Sequence, residues 1–164
     1  MSTAAQDRAD DRLRAVIRPL WTEPDPQPRR AIITRLHQQA RDVHDVRVAQ
    51  PALTVAILDP DVDVRRAAMA VTEERAASGA DIRLALPAMA LVAEHPDTEI
   101  RERVWGALIM SDSRHDDAII ALSDLAHRVS VGDPDPDIRH AASRIAARIA
   151  RVKDQHSSVA ANEI

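Results

Sequence analysis

Apolar residues recur along the chain with a helical period. Between 45 and 58 they include Val46, Ala49, Leu53, Ala56 and Ile57; between 100 and 110 they include Ile100, Val104, Ala107, Leu108 and Met110. Spacings near three, four and seven gather such residues on one helical face, and no segment alternates with the period of two that a half-buried strand needs. The pattern predicts helices near 7–21, 26–42, 45–58, 61–77, 81–94, 97–110, 115–129 and 135–153. Gly79 and Gly132 fall between predicted helices, where a helix is expected to stop.

The polar words between these helices repeat as well. PDPQPR at 24–29 is followed by PDVDVR at 60–65, PDTEIR at 96–101 and PDPDIR at 134–139, so the leading prolines are 36, 36 and 38 residues apart. Asp45-Val46-Arg47 returns as Asp81-Ile82-Arg83, and Pro51-Ala52-Leu53 as Pro87-Ala88-Met89. Ala31, Ala40 and Ala49 match Ala67, Ala76 and Ala85. The next copy keeps Asp117 in register, places Ser123 where proline would fall, and carries a two-residue expansion within 127–132. A period of this size marks a stacked array in which each unit is a pair of helices. The expected fold is therefore all-α, an α-α superhelix (solenoid) of about four helical hairpins. Its units span about 9–44, 45–80, 81–116 and 117–153, between flexible ends at 1–8 and 154–164.

Each word has the chemistry of a helix start. Asp25, Asp61, Asp97 and Asp135 stand at the N-cap position, where a carboxylate accepts from free amides of the first turn and meets the positive end of the helix dipole. Pro26 and Pro136 follow at the helical position that tolerates proline best. Asp63, Glu99 and Asp137 add a second acid, and Val64, Ile100 and Ile138 are expected to point inward; Pro28 breaks this order in the first copy. Arg29, Arg65, Arg101 and Arg139 lie four residues after each cap. In a stack they are expected to bridge their own cap aspartate and that of a neighbouring unit, as an Asp/Arg ladder along one edge.

The words Asp61-Val62-Asp63-Val64-Arg65-Arg66-Ala67-Ala68 and Asp135-Pro136-Asp137-Ile138-Arg139-His140-Ala141-Ala142 resemble the HEAT repeat family of α-solenoids. They are most similar to its bacterial HEAT-like subtype, also found in phycobilisome lyase subunits. The resemblance covers residues 9 to about 153. It implies a scaffold or adaptor that holds its partner on the concave face lined by the second helix of each hairpin.

Composition narrows the chemistry. The 164 residues have a net charge of −4, no cysteine, no tyrosine or phenylalanine, and two tryptophans, Trp21 and Trp105. Disulfides, thiol catalysis and thiolate metal sites are excluded. The start MSTAAQDRADDRLR has no apolar leader, and no stretch reaches the roughly 18 apolar residues of a membrane span, so a cytoplasmic protein without a membrane partner is expected. Arginine in place of lysine, with abundant alanine, valine and aspartate, fits a GC-rich bacterial coding sequence. His115-Asp116-Asp117 lacks the spacing of ligands on one helical face and reads as a solvated helix start. Asp59, Asp61 and Asp63 lack the glycine and closing glutamate of a calcium loop. No nucleophile–base pair, phosphate loop or metal-ligand set is present in the pattern, so no enzyme activity and no cofactor are expected.

Arginines gather on the first and last second-helices: Arg29, Arg30, Arg35 and Arg41, then Arg139, Arg144, Arg148 and Arg151 with Lys153. The middle helices mix in Glu73, Glu74 and Glu102. The expected partner is another protein or peptide, acidic where these arginines meet it. Candidate contact residues are Arg30, Arg66, Trp105, His140 and Arg144. Ile33, Met69 and Trp105 share one register position, which favours inter-unit core; Trp105 stays a contact candidate because tryptophan is enriched in binding hot spots. Two rivals stand beside this reading. A nucleic-acid-binding HEAT-like protein, similar to alkylpurine DNA glycosylases, is opposed by the net charge and the lack of stacking aromatics. A non-catalytic partner subunit of an enzyme complex is the other.

Overall fold

The computed structural model describes residues 11, 14–39, 43–111 and 116–162, with side chains except those of 39, 43–48 and 159–162. Ala40, Arg41 and His115, used in the sequence reading, therefore fall outside it, and of Asp45, Val46 and Arg47 only the backbone is described. The described chain is all-helical, with no strand. Residues 14–17 are helical, and α1 (Pro19–Thr22), α2 (Pro26–Gln39), α3 (Val43–Ala56) and α4 (Val62–Ala77) follow. A 3₁₀ turn (Arg83–Ala85) leads into α5 (Leu86–Val92), then α6 (Thr98–Met110) and α7 (Asp116–Ile119). A second 3₁₀ turn (Ile120–Leu122) leads into α8 (Ser123–Gly132), and α9 (Pro136–Asn162) ends the described chain. None of these helices is long and apolar enough to cross a membrane.

The helices that begin after each repeated word pack side by side in chain order: α2 on α4, α4 on α6, α6 on α9. The intervening helices form a second layer, with α3 against the 83–85 turn, α5 against α6 and α8 against α9. Ile33, Met69 and Trp105 are fully buried at matching positions between neighbouring second-helices. Val64, Ile100 and Ile138, expected to face inward, are buried as well. Small residues such as Ala68, Ala76, Ala107 and Ala142, also buried, let the helices approach closely.

Caps and stops act locally. Asp61 accepts from the amides of Asp63 (3.0 Å) and Val64 (3.1 Å), Asp97 from Ile100 (3.2 Å), and Asp135 from Asp137 (2.8 Å) and Ile138 (3.3 Å). Gly79 ends α4 at φ +79°; Ala80 N–H donates to the Arg75 carbonyl and Gly79 N–H to that of Ala76. That is the six-to-one, five-to-two pattern of a helix stop, for which glycine avoids the steric cost of the left-handed backbone.

Three expectations about elements are corrected. The helix expected at 81–94 divides into a 3₁₀ turn and α5, and the described part of that expected at 115–129 into α7, a 3₁₀ turn and the start of α8. Pro87 follows the first turn and lacks the N–H that a continuous helix would use, yet Pro51, its repeat equivalent, is carried inside α3. Ser123 follows the second turn with no proline at all, so proline alone does not set these breaks. Finally, the last helix, expected to end at 153, runs to Asn162. Lys153 Nζ donates to Ser123 Oγ at 3.0 Å and His156 lies 3.2 Å from Asp117, so the last turns of α9 are held against the α7–α8 segment.

Candidate functional site

The Asp/Arg edge takes a different form from the one the sequence suggested. Arg29 donates to Asp59 through Nε (2.9 Å) and Nη2 (2.8 Å), and Arg101 to Asp133 through Nε (2.8 Å) and Nη2 (3.3 Å). The acceptor is thus the acid two residues before the next cap, and not Asp25, Asp61, Asp97 or Asp135. Nη1 of each arginine turns back onto its own turn. Arg29 reaches the Glu23 and Pro24 carbonyls, Arg65 those of Asp59 and Pro60, Arg101 those of His95 and Pro96, and Arg139 those of Asp133 and Pro134. One guanidinium closes the turn it follows and, in two copies, grips the next. Its partner acid also accepts the cap amide: Asp59 from Asp61 N–H (2.9 Å) and Asp133 from Asp135 N–H (2.8 Å). The repeating signal for this was Glu23, Asp59 and Asp133 at one register position.

At that position the third unit has His95. Its Nδ1 accepts the Asp97 amide at 3.0 Å, which leaves the ring proton on Nε2 and offers no carboxylate to Arg65. Arg65 Nε is buried without a hydrogen-bond partner. Burial first, then the nearby Arg65, lower the His95 pKa; Asp97 opposes this, and Arg101 and Arg66 add to it. His95→Asp is expected to raise stability by about 1 kcal/mol by giving Arg65 a charged acceptor, read as a higher urea midpoint. The pH dependence has a sign. Because the folded pKa lies below the ordinary 6.5, the unfolded chain binds the proton first, and stability falls as pH drops past about 6.5. That component is expected to vanish in His95→Asp.

The second-helix face carries the expected contact residues in three different states. Arg30, His140 and Arg144 are exposed. Arg66 is engaged: its guanidinium meets Asp63 (3.0 Å), Asp97 and Glu99 (3.4 Å), and its hydrogen bond holds the Asp97 carboxyl below the usual carboxylate range. Trp105 is fully buried and presents no surface, which corrects its place among the contact candidates. Arg103 bridges Glu73 (3.0 Å) and Glu99 (2.9 Å) between α4 and α6, and His37 lies 3.0 Å from Glu74. The middle of the face is therefore neutralised by cross-helix pairs. Arg30 and Arg35 at one end, and Arg144 and Arg151 at the other, make no ion pair among the described residues.

A pocket of about 220 Å³ opens between α6 and α9, lined by Ile109, Arg144, Ile145, Ala147, Arg148 and Arg151. Arg148 is oriented there by Asp116 (Nε–Oδ1 2.6 Å) and the Leu108 carbonyl (3.2 Å). The apolar side of α9 is spent inward, since Ala142, Ile145 and Ile149 are buried. Exposed large apolar side chains instead lie mostly on the other layer, at Val55, Leu58, Leu84, Leu91 and Val131, with Met110 at the end of α6. Arg75 was not anticipated: it is buried, all three guanidinium nitrogens lack hydrogen-bond partners, and burial lowers its pKa against the opposing pull of Glu74. No group of three or more metal-ligating side chains assembles among the described residues.

Comparison with known proteins gives no matching family model and no matching curated protein.

Proposed function

We propose that the chain is a HEAT-like α-solenoid and serves as a non-catalytic interaction module, binding a protein or peptide along the face of α2, α4, α6 and α9. The observation that carries this reading is the charge pattern of that face: paired cations in its middle, and at both ends exposed arginines without an ion pair among the described residues. Three helix spacings of 8–10 Å put those ends roughly 24–30 Å apart, the span of an extended partner surface. The packing of second-helices in chain order supports the solenoid assignment. The acidic net charge favours a protein over a polyanionic nucleic acid.

The test is affinity capture from the native host with three forms of the protein. Arg30→Glu/His140→Glu alters the second-helix face, and Leu84→Glu/Leu91→Glu alters the exposed apolar side chains of the other layer. The expected result is at least tenfold less capture of a defined partner by the first variant and unchanged capture by the second. The opposite pattern would move the interaction to the first-helix layer.

A further inference from the structure

We infer that the pocket between α6 and α9 is a receptor for an acidic peptide segment that carries an apolar side chain next to its carboxylates. The inference deepens the interaction-module reading and rests on it.

The repeat itself separates structural residues from the rest. Arg144 stands where the earlier units have Thr34, Ala70 and Gly106, and Arg148 where they have Gln38, Glu74 and Met110. Packing of one unit on the next thus requires no arginine at either position. On α9, Arg144 and Arg148 are four residues apart and Arg148 and Arg151 three apart, spacings at which like charges destabilise a helix. Arg148 is offset by Asp116, while Arg144 and Arg151 are exposed without an ion pair among the described residues. Two uncompensated cations beside one pocket, in a chain of net charge −4, are a local feature of this site.

The pocket adds shape to that charge. Buried Ile145 and half-buried Ile109 supply an apolar floor, and exposed Arg144, Ala147 and Arg151 stand at its rim. About 220 Å³ lies below the 300–1,000 Å³ of sites for drug-sized ligands, so it suits one or two side chains and not a cofactor. Guanidinium matches a carboxylate with two parallel donors, which a rim arginine can present without leaving the floor uncovered. Duplex nucleic acid fits less well: its phosphates need a long basic track, and this rim is confined to the last helix.

The test uses fluorescence anisotropy of a labelled peptide of alternating glutamate and leucine with the full chain. A matched peptide with serine for leucine and a labelled DNA duplex serve as comparisons. Tight, saturable binding of the Glu/Leu peptide is expected, at least tenfold weaker for the Glu/Ser peptide and for the duplex. Arg144→Glu/Arg151→Glu is expected to weaken it at least tenfold, with unchanged helical circular dichroism, while Arg18→Glu leaves it unchanged. Arg144→Gln/Arg151→Gln, the milder pair, is expected to lose affinity in the same direction. Equal binding by the arginine variants, or equal binding of the Glu/Ser peptide or duplex, would overturn the inference. Partner capture lost with Arg30→Glu/His140→Glu while the pocket variants bind peptide normally would remove the pocket and leave the interaction-module reading standing.

Discussion

Arg101→Ala is expected to lower stability by about 3–5 kcal/mol, the cost of leaving one member of a buried ion pair without the other. The side chains of Arg101 and Asp133 are 6% and 4% exposed, so the stranded carboxylate could not recover its loss from water. The same guanidinium also serves the His95 and Pro96 carbonyls, at 2.8 and 3.1 Å, which would lose their donor. A small domain has only about 5–15 kcal/mol in hand, so the urea midpoint should fall sharply with little change in slope. Two comparisons separate the pair from simple loss of bulk. Arg101→Met with Asp133→Asn removes both charges and keeps an acceptor for the Asp135 amide, and is expected to cost less than Arg101→Ala alone. Arg139→Ala should also cost less, because Arg139 closes its own turn and grips no carboxylate of another turn among the described residues. A loss below about 1 kcal/mol for Arg101→Ala would place this contact among ordinary surface pairs.

The case of Arg101 also shows how far residue patterns reach. The caps were legible because an N-cap is decided by a few neighbouring residues at fixed spacing. The arginine partners were displaced by two residues because helical spacing compares positions within one unit, while Asp59 and Asp133 belong to the next turn in space. A side chain in the first turn of a helix also leans toward its N-terminus, past its own cap and onto the preceding carbonyls. The recurrence of an acid at 59 and 133 held the correct answer, and His95 marked where the contact lapses. The split first helices were less accessible: Pro51 and Pro87 occupy equivalent positions with opposite outcomes, so packing decides between them. The contacts of Lys153 and His156 with Ser123 and Asp117 likewise join residues distant in sequence. For the candidate site, residue types located the arginines, but only side-chain geometry separated the engaged Arg66 from the exposed Arg144.

Trp105→Ala is expected to cost about 3–5 kcal/mol, the range for deleting a large buried aromatic. Trp105 is fully buried in α6, at the register position that Ile33 and Met69 fill in the preceding second-helices. Removing the indole leaves a cavity where α6 meets its neighbours, and close-packed helices bearing small residues have little freedom to collapse into it. Trp105→Phe should lose much less: it keeps most of the packing and removes an indole N–H that is buried without an acceptor. Fluorescence offers a direct check, since Trp21 is 55% exposed and Trp105 is the remaining tryptophan. In a Trp21→Phe background, emission should be blue-shifted, resistant to quenching by iodide, and lost with the same urea midpoint as the helical signal. A Trp105→Ala protein of unchanged stability that no longer binds its partner would instead put this side chain at the surface, and with it the register that stacks one unit on the next would be wrong.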